Sequence, residues 1–168
     1  TAPQVLVTDA SGNPVSGVSV TFAVTGGGGS ATGTSVTTDA QGHAGVGSWT
    51  LGTTVGGNTL RATSGSLTGS PVTFTATGTA AAAATIAVNA GNGQSATVNT
   101  AVATAPSVVV RDAFNNPVSG VSVTFAVATG GGSVTGGSAT TNASGVATVG
   151  SWTLGTTAGS NSLTATVT

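Results

Sequence analysis

The segment DASGNPVSGVSVTFAV at residues 9–24 returns as DAFNNPVSGVSVTFAV at residues 112–127, and the same offset aligns the flanks without a gap. Residues 1–65 thus lie on residues 104–168 with roughly two thirds of the pairs identical, and a repeat of that quality governs every other structural expectation.

The repeated segment reads as a turn feeding a strand. Asp9 can accept hydrogen bonds from backbone amides just ahead of it, and Gly12 and Asn13 tolerate positive φ. Pro14 fixes its own φ and pushes Asn13 towards an extended conformation, and Gly17 supplies a second bend. Val18, Val20, Phe22 and Val24 follow at period two, separated by Ser19, Thr21 and Ala23. That pattern predicts a half-buried strand with an apolar inner face. Val121, Val123, Phe125 and Val127 repeat it. The glycine-rich segments GGGGS at 26–30 and TGGGS at 129–133 end these strands and are expected to be flexible interstrand loops. They lack the Lys-Ser/Thr of a phosphate-binding loop and do not open a helix.

Helix signals are nearly absent, whereas short alternating runs separated by Gly, Asn, Asp and Pro predict an all-β sandwich. Further strands are expected at residues 4–8, 35–38, 43–51, 58–62 and 71–77. DAQG at 39–42, matched by NASG at 142–145, reads as a tight hairpin turn. Within 43–51, Ala44 and Val46 share one phase while Trp49 and Leu51 share the other. One extra residue near Gly47 and Ser48 would turn all four inward, which predicts a β-bulge there; Ala147, Val149, Trp152 and Leu154 repeat it. Residues 78–84 are expected to be a short extended connector. The second copy then opens with a strand from 85–88 and 96–102, broken around GNGQS at 91–95.

The pattern D-A-x-x-N-P-V-x-G-V-x-V-T-F, a glycine-rich loop, then T-T-[DN]-A-x-G-x-A resembles the bacterial immunoglobulin-like domains of the invasin and intimin type. The resemblance covers nearly all of the chain and rests on structural signatures, which speak to fold more than to ligand. It implies a bacterial cell-surface or secreted protein in which such domains form the stalk of an adhesin.

Composition narrows the function. Charged residues make up 3 % of the 168 positions, against about a quarter in an average soluble protein. They are Asp9, Asp39, Asp112, Arg61 and Arg111, with no Lys and no Glu. A chain so composed has no basic patch for nucleic acid and no polybasic stretch for anionic lipid. No apolar run reaches the length of a transmembrane helix, so no membrane insertion by this segment is expected. There is no Cys, which removes disulfides and thiolate metal sites. The chain opens at TAPQVLV without Met and is expected to be processed or an excerpt.

The candidate site residues are few. Asp9 with Asn13, and Asp112 with Asn116, place a carboxylate and an amide at one turn and are weak candidates for Ca²⁺. Calcium wants six to eight oxygens, usually from several carboxylates, so turn capping is the favoured role and no metal or cofactor is expected. His43 has Val146 as its counterpart and is expected as an exposed strand residue beside a turn. Trp49 and Trp152 could stack on sugars, but their equivalent, apolar-phase positions favour core packing. Arg61 and Arg111 are expected to point outward. Asn142-Ala143-Ser144 is a lone glycosylation sequon. Without Glu, Lys, Cys or Tyr and with one His, the chain is not expected to be an enzyme.

The expected architecture is therefore all-β: two tandem immunoglobulin-like β-sandwich domains, residues 1–79 lacking the first strand and residues 80–168 lacking the last. Open sheet edges are normally paired or covered. Either a longer array supplies both strands, which is favoured because the chain carries no spare strand, or another subunit donates them. The partners expected are neighbouring copies of the same repeat, in the same chain or in other subunits. The expected role is structural, as adhesin stalk or building block of an extracellular filament; the alternative is a carbohydrate- or receptor-binding module of a larger secreted protein.

Overall fold

A computed structural model describes residues 1–65 and 67–168. The described residues form strands and turns, with no helix, and the chain divides into two compact units, Thr1–Thr79 and Ala80–Thr168.

The first unit contains β1 (Gln4–Leu6), β2 (Ser19–Gly26), β3 (Ser30–Thr32), β4 (Ser35–Thr37), β5 (His43–Gly45), β6 (Ser48–Thr50), β7 (Gly56–Thr63) and β8 (Val72–Gly78). One sheet runs β4-β2-β7-β8; β1 pairs with β5, and β3 with β6. All pairings are antiparallel. The period-two pattern sets the core, because alternate side chains of a strand face opposite ways. Val20 and Phe22 from β2 and Leu60 and Ala62 from β7 meet Ala44 of β5 and the adjoining Val46, while Val5, Val7, Trp49 and Phe74 pack at the margin.

The second unit contains β9 (Ala83–Ala90), β10 (Ser107–Asp112), β11 (Ser122–Thr129), β12 (Ser133–Thr135), β13 (Ser138–Thr140), β14 (Val146–Thr148), β15 (Ser151–Thr153) and β16 (Ser162–Val167). Its sheets run β14-β10-β9 and β13-β11-β16, and β12 pairs with β15. Val108, Val110, Val123, Phe125, Ala147 and Val149 form its core, and all six stand at the repeat offset from core residues or core-margin residues of the first unit. Among the described residues, the strand pairings of the units differ at two places: β8 lies against β7 whereas β16 has no such neighbour, and β9 lies against β10 whereas β1 has none.

The expected strand 43–51 is two strands, not one bulged strand. β5 pairs with β1, and β6 pairs with β3. The change of sheet occurs between adjacent amides: Val46 N–H donates to Pro3 O at 3.1 Å and Gly47 N–H to Thr32 O at 2.9 Å. Val149 and Gly150 do the same towards Pro106 and Thr135. The phase flip in the sequence therefore marks a crossing between sheets rather than an inserted residue. The expected strand segment 96–102 is also corrected. It is a loop tied to β15 by an isolated bridge between Ala101 and Thr153 and by Val102 N–H donating to Trp152 O.

The glycine-rich loops are packed turns rather than loose ones. β3 and β12 begin at their last serine. Buried Asn58 sits beneath the first loop, accepting Gly52 N–H at 2.9 Å and donating to Gly56 O at 3.3 Å. A Cβ on Gly27 would strike the Asn58 side chain, and one on Gly29 would strike Thr50 O. Glycine is present because two stretches of backbone and an amide side chain must touch.

Candidate functional site

The two carboxylate turns have the same construction. Asp9 Oδ1 accepts Ser11 N–H at 2.9 Å and Asn13 N–H at 2.8 Å, and Oδ2 accepts the Asn13 side-chain amide at 3.0 Å. The third turn residue must adopt positive φ, which Gly12 does at 85° and its counterpart Asn115 at 68°; Asn is among the few residues that tolerate it. Asp112 Oδ1 accepts Phe114 N–H and Asn116 N–H, and Oδ2 accepts the Asn116 amide at 2.9 Å. Asp112 makes one contact that Asp9 does not: its Oδ2 accepts Ala81 N–H at 3.0 Å. Asp112 is 3 % exposed, whereas Asp9 is exposed.

These donors set the protonation of both groups. The Asn13 side chain and amide, with the Ser11 and Gly12 amides, hold the Asp9 carboxyl below its ordinary value against a smaller desolvation effect. Burial pushes Asp112 up, but the Asn116 side chain and the amides of Ala81, Asn116 and Phe114 outweigh it and hold the carboxyl at about 2. As candidates for Ca²⁺, Asp9, Asn13, Asp112 and Asn116 therefore bring carboxylate oxygens that already face N–H donors. No group of three or more His, Asp or Glu residues with metal-binding spacing occurs among the described residues.

The remaining candidates are spread over the units. His43 is half-buried on β5; its amide donates to Asp39 Oδ1 at 2.9 Å, and its Nδ1 is buried without a hydrogen-bond partner. Asn142 takes the place of Asp39 and its Oδ1 accepts Ser144 and Val146 N–H in the same manner. Arg61 is exposed, and Arg111 donates to Asn115 O at 2.9 Å. Trp49 packs on the core of the first unit. Trp152 is half-buried and lines a cleft between β16 and the β9–β10 pair, with its indole N–H unpartnered.

Residue-by-residue reading missed two pairs of polar side chains that tie loops to strands. Thr38 Oγ1 accepts Val18 N–H and donates to Val15 O, pinning the segment that leads into β2, and Thr141 repeats this with Val121 and Val118. Asn58 and Asn161 accept the amides of Gly52 and Gly155 and so tie β7 and β16 to the loops after β6 and β15. Their identity in both copies was the available signal.

Comparison with known proteins returns no matching protein-family profile and no match among curated proteins. Three solved structures are similar. The D0–D1 domain of intimin shares 23 % identity over 98 % of this chain and 80 % of that one, with a TM-score of 0.40. Invasin, described as a bacterial integrin-binding protein, shares 21 % over 98 % and 32 %, with a TM-score of 0.42. FdeC, an Escherichia coli adhesin, shares 27 % over 98 % and 53 %, with a TM-score of 0.49. The chain resembles the invasin and intimin type. No helix among the described residues is long and apolar enough to cross a membrane.

Proposed function

We propose that this chain is a structural tandem immunoglobulin-like segment of a bacterial cell-surface or secreted protein, serving as adhesin stalk or filament building block. The observation that carries the reading is what the two units have in common. The carboxylate caps, the Thr38 and Thr141 clamps, the Asn58 and Asn161 clamps and the apolar cores recur. Changes such as His43 to Val146 and Arg61 to Thr164 lie outside those sets. Repetition of the supporting framework suits a part whose task is length and spacing, with number of copies as the variable. Neighbouring copies of the repeat are its partners on this reading, and the location is extracellular or on the bacterial surface.

A net charge of −1 leaves little electrostatic repulsion between copies, which favours close association into a filament. The competing reading, a carbohydrate- or receptor-binding module, draws on Trp152 with its unpartnered indole N–H beside a cleft.

Immunogold labelling of native bacterial surface protein with antibodies against this segment separates the two. Label along the length of a shaft or filament is expected. Label confined to a distal tip would overturn the stalk reading in favour of the binding module.

A further inference from the structure

The repeat makes each unit a reference for the other, and the turn before β5 differs from its counterpart before β14 in a chemically pointed way. Residues 36–46 read VTTDAQGHAGV, and residues 139–149 read ATTNASGVATV. Within the turn Asp39 becomes Asn142 and Gln41 becomes Ser144, while the alanine between them and the glycine after them stay. Those two changes together write Asn-x-Ser, the acceptor pattern for an N-linked sugar. No other asparagine of the chain stands two residues before a Ser or Thr.

The fold of the turn requires neither change. Asp39 Oδ1 accepts Gln41 N–H and His43 N–H, both at 2.9 Å. Asn142 Oδ1 accepts Ser144 N–H at 2.9 Å and Val146 N–H at 3.1 Å. Carboxylate and amide make the same cap because it uses a single acceptor oxygen and leaves the other terminal atom idle. In Asn142 the idle atom is Nδ2.

That sets Asn142 apart from most asparagines of the chain. The side-chain amides of Asn13, Asn58, Asn89, Asn116 and Asn161 each donate a hydrogen bond. The Nδ2 of Asn142 donates to no group among the described residues, and Asn142, Ala143 and Ser144 are all exposed. The Ser144 N–H bonded to Oδ1 holds the side chain in an Asx turn and keeps Ser144 next to the acceptor amide.

We infer that Asn142 is an acceptor site for an N-linked glycan. The donor is a sugar joined through its anomeric carbon to a diphosphate, carried on a nucleoside or on a polyprenyl lipid and delivered by a glycosyltransferase. Nδ2 attacks the anomeric carbon, and the C–O bond to the diphosphate breaks. The diphosphate leaves with the electron pair, and one Nδ2 proton passes to a base of the transferase. The product keeps Oδ1 as an acceptor and still caps the turn, so the modification does not compete with the fold. The sugar also supplies hydration to a chain whose charged residues make up only 3 %. The inference rests on the proposed surface location only for the use made of the sugar; the turn and its free amide stand without it.

The test offers the folded chain two donors in separate arms. One holds a soluble N-glycosyltransferase with uridine-diphosphate glucose; the other holds membranes with an oligosaccharyltransferase and a polyprenyl-diphosphate oligosaccharide. Peptide mapping by mass spectrometry is expected to find sugar on Asn142 in at least one arm and on no other asparagine, and the arm that succeeds identifies the carrier. Two controls are copied from the first unit, where they support the same turn. Asn142→Asp and Ser144→Gln should each cut transfer at least tenfold. The glycosylated chain should melt at the same temperature as the unmodified one. No transfer to the folded chain in either arm overturns the inference, as does undiminished transfer to Ser144→Gln. A clearly lower melting temperature after glycosylation also counts against it, because the free Nδ2 is what singles out Asn142. None of these results bears on where the antibodies label, so failure here and failure of the stalk reading are distinguishable.

Discussion

At the residue scale, polar side chains fix the turns that the apolar pattern only brackets. Asp39 and Asn142 show that one oxygen suffices to cap a turn, since either residue accepts the same two amides. Asp112 uses both oxygens, and its second holds Ala81 and Asn116. Its folded pKa of about 2 lies below the ordinary 3.8, so folding favours the ionised form. The stabilisation is present in full above the ordinary value and is lost as pH falls towards the folded one. Asp112→Asn should keep the Oδ1 contacts, lose those of Oδ2, and flatten the fall in stability of the second unit between pH 4 and pH 2. Urea denaturation at stepped pH would check this; identical acid limbs in the two proteins would count against the role assigned to Oδ2. The glycine-rich loop makes a second prediction. Gly29→Ala should destabilise by about 1–3 kcal/mol through overpacking against Thr50 O. Gly57→Ala, where a Cβ meets nothing within 4 Å, should be neutral or stabilising by up to about 1 kcal/mol. Thermal and chemical melts of the pair separate a packed loop from a flexible one, because a flexible loop would accept both.

At the element scale, equivalent strands have unequal surroundings. Leu60 on β7 is covered by β8, and Leu163 on β16 is not. Leu60→Ala should cost about 2–5 kcal/mol, the range for a fully buried leucine. Leu163→Ala should cost clearly less, since a half-buried side chain loses less transfer energy and leaves a smaller cavity. Denaturant midpoints of the two variants give the comparison directly, and equal losses would mean that the edge strand is as well packed as the interior one. Buried Asn58 belongs at this scale too, because it ties β7 to the loop after β6. Asn58→Ala leaves the Gly52 N–H without its acceptor and should cost about 1–3 kcal/mol, read from the same denaturation experiment.

At the scale of the whole molecule, the chain depends almost wholly on apolar burial and uncharged hydrogen bonds. Five charged residues in 168 leave little for salt to screen. Melting temperature and any self-association should therefore change little between low and high sodium chloride, as calorimetry and light scattering across a salt series would show. Dissociation by salt would point to ionic contacts that the composition does not supply. Each unit has its own core, and the two cores are drawn from the same repeat positions, as expected when most of the apolar pattern is duplicated.

The sequence alone determined the fold class, the strands centred on Phe22 and Phe125, and the capping turns at Asp9 and Asp112. Those features are local: period-two alternation, a proline and a capping side chain act within a few residues of themselves. The tertiary structure decided the rest because it depends on distant partners. That the phase flip between Val46 and Trp49 is a crossing between sheets follows from Pro3 and Thr32 lying on opposite sides of it. That the glycine-rich loop is packed follows from Asn58, some thirty residues on in the chain. Strand pairing joins residues far apart in the chain, and a linear pattern records which face a side chain occupies but not what lies across from it.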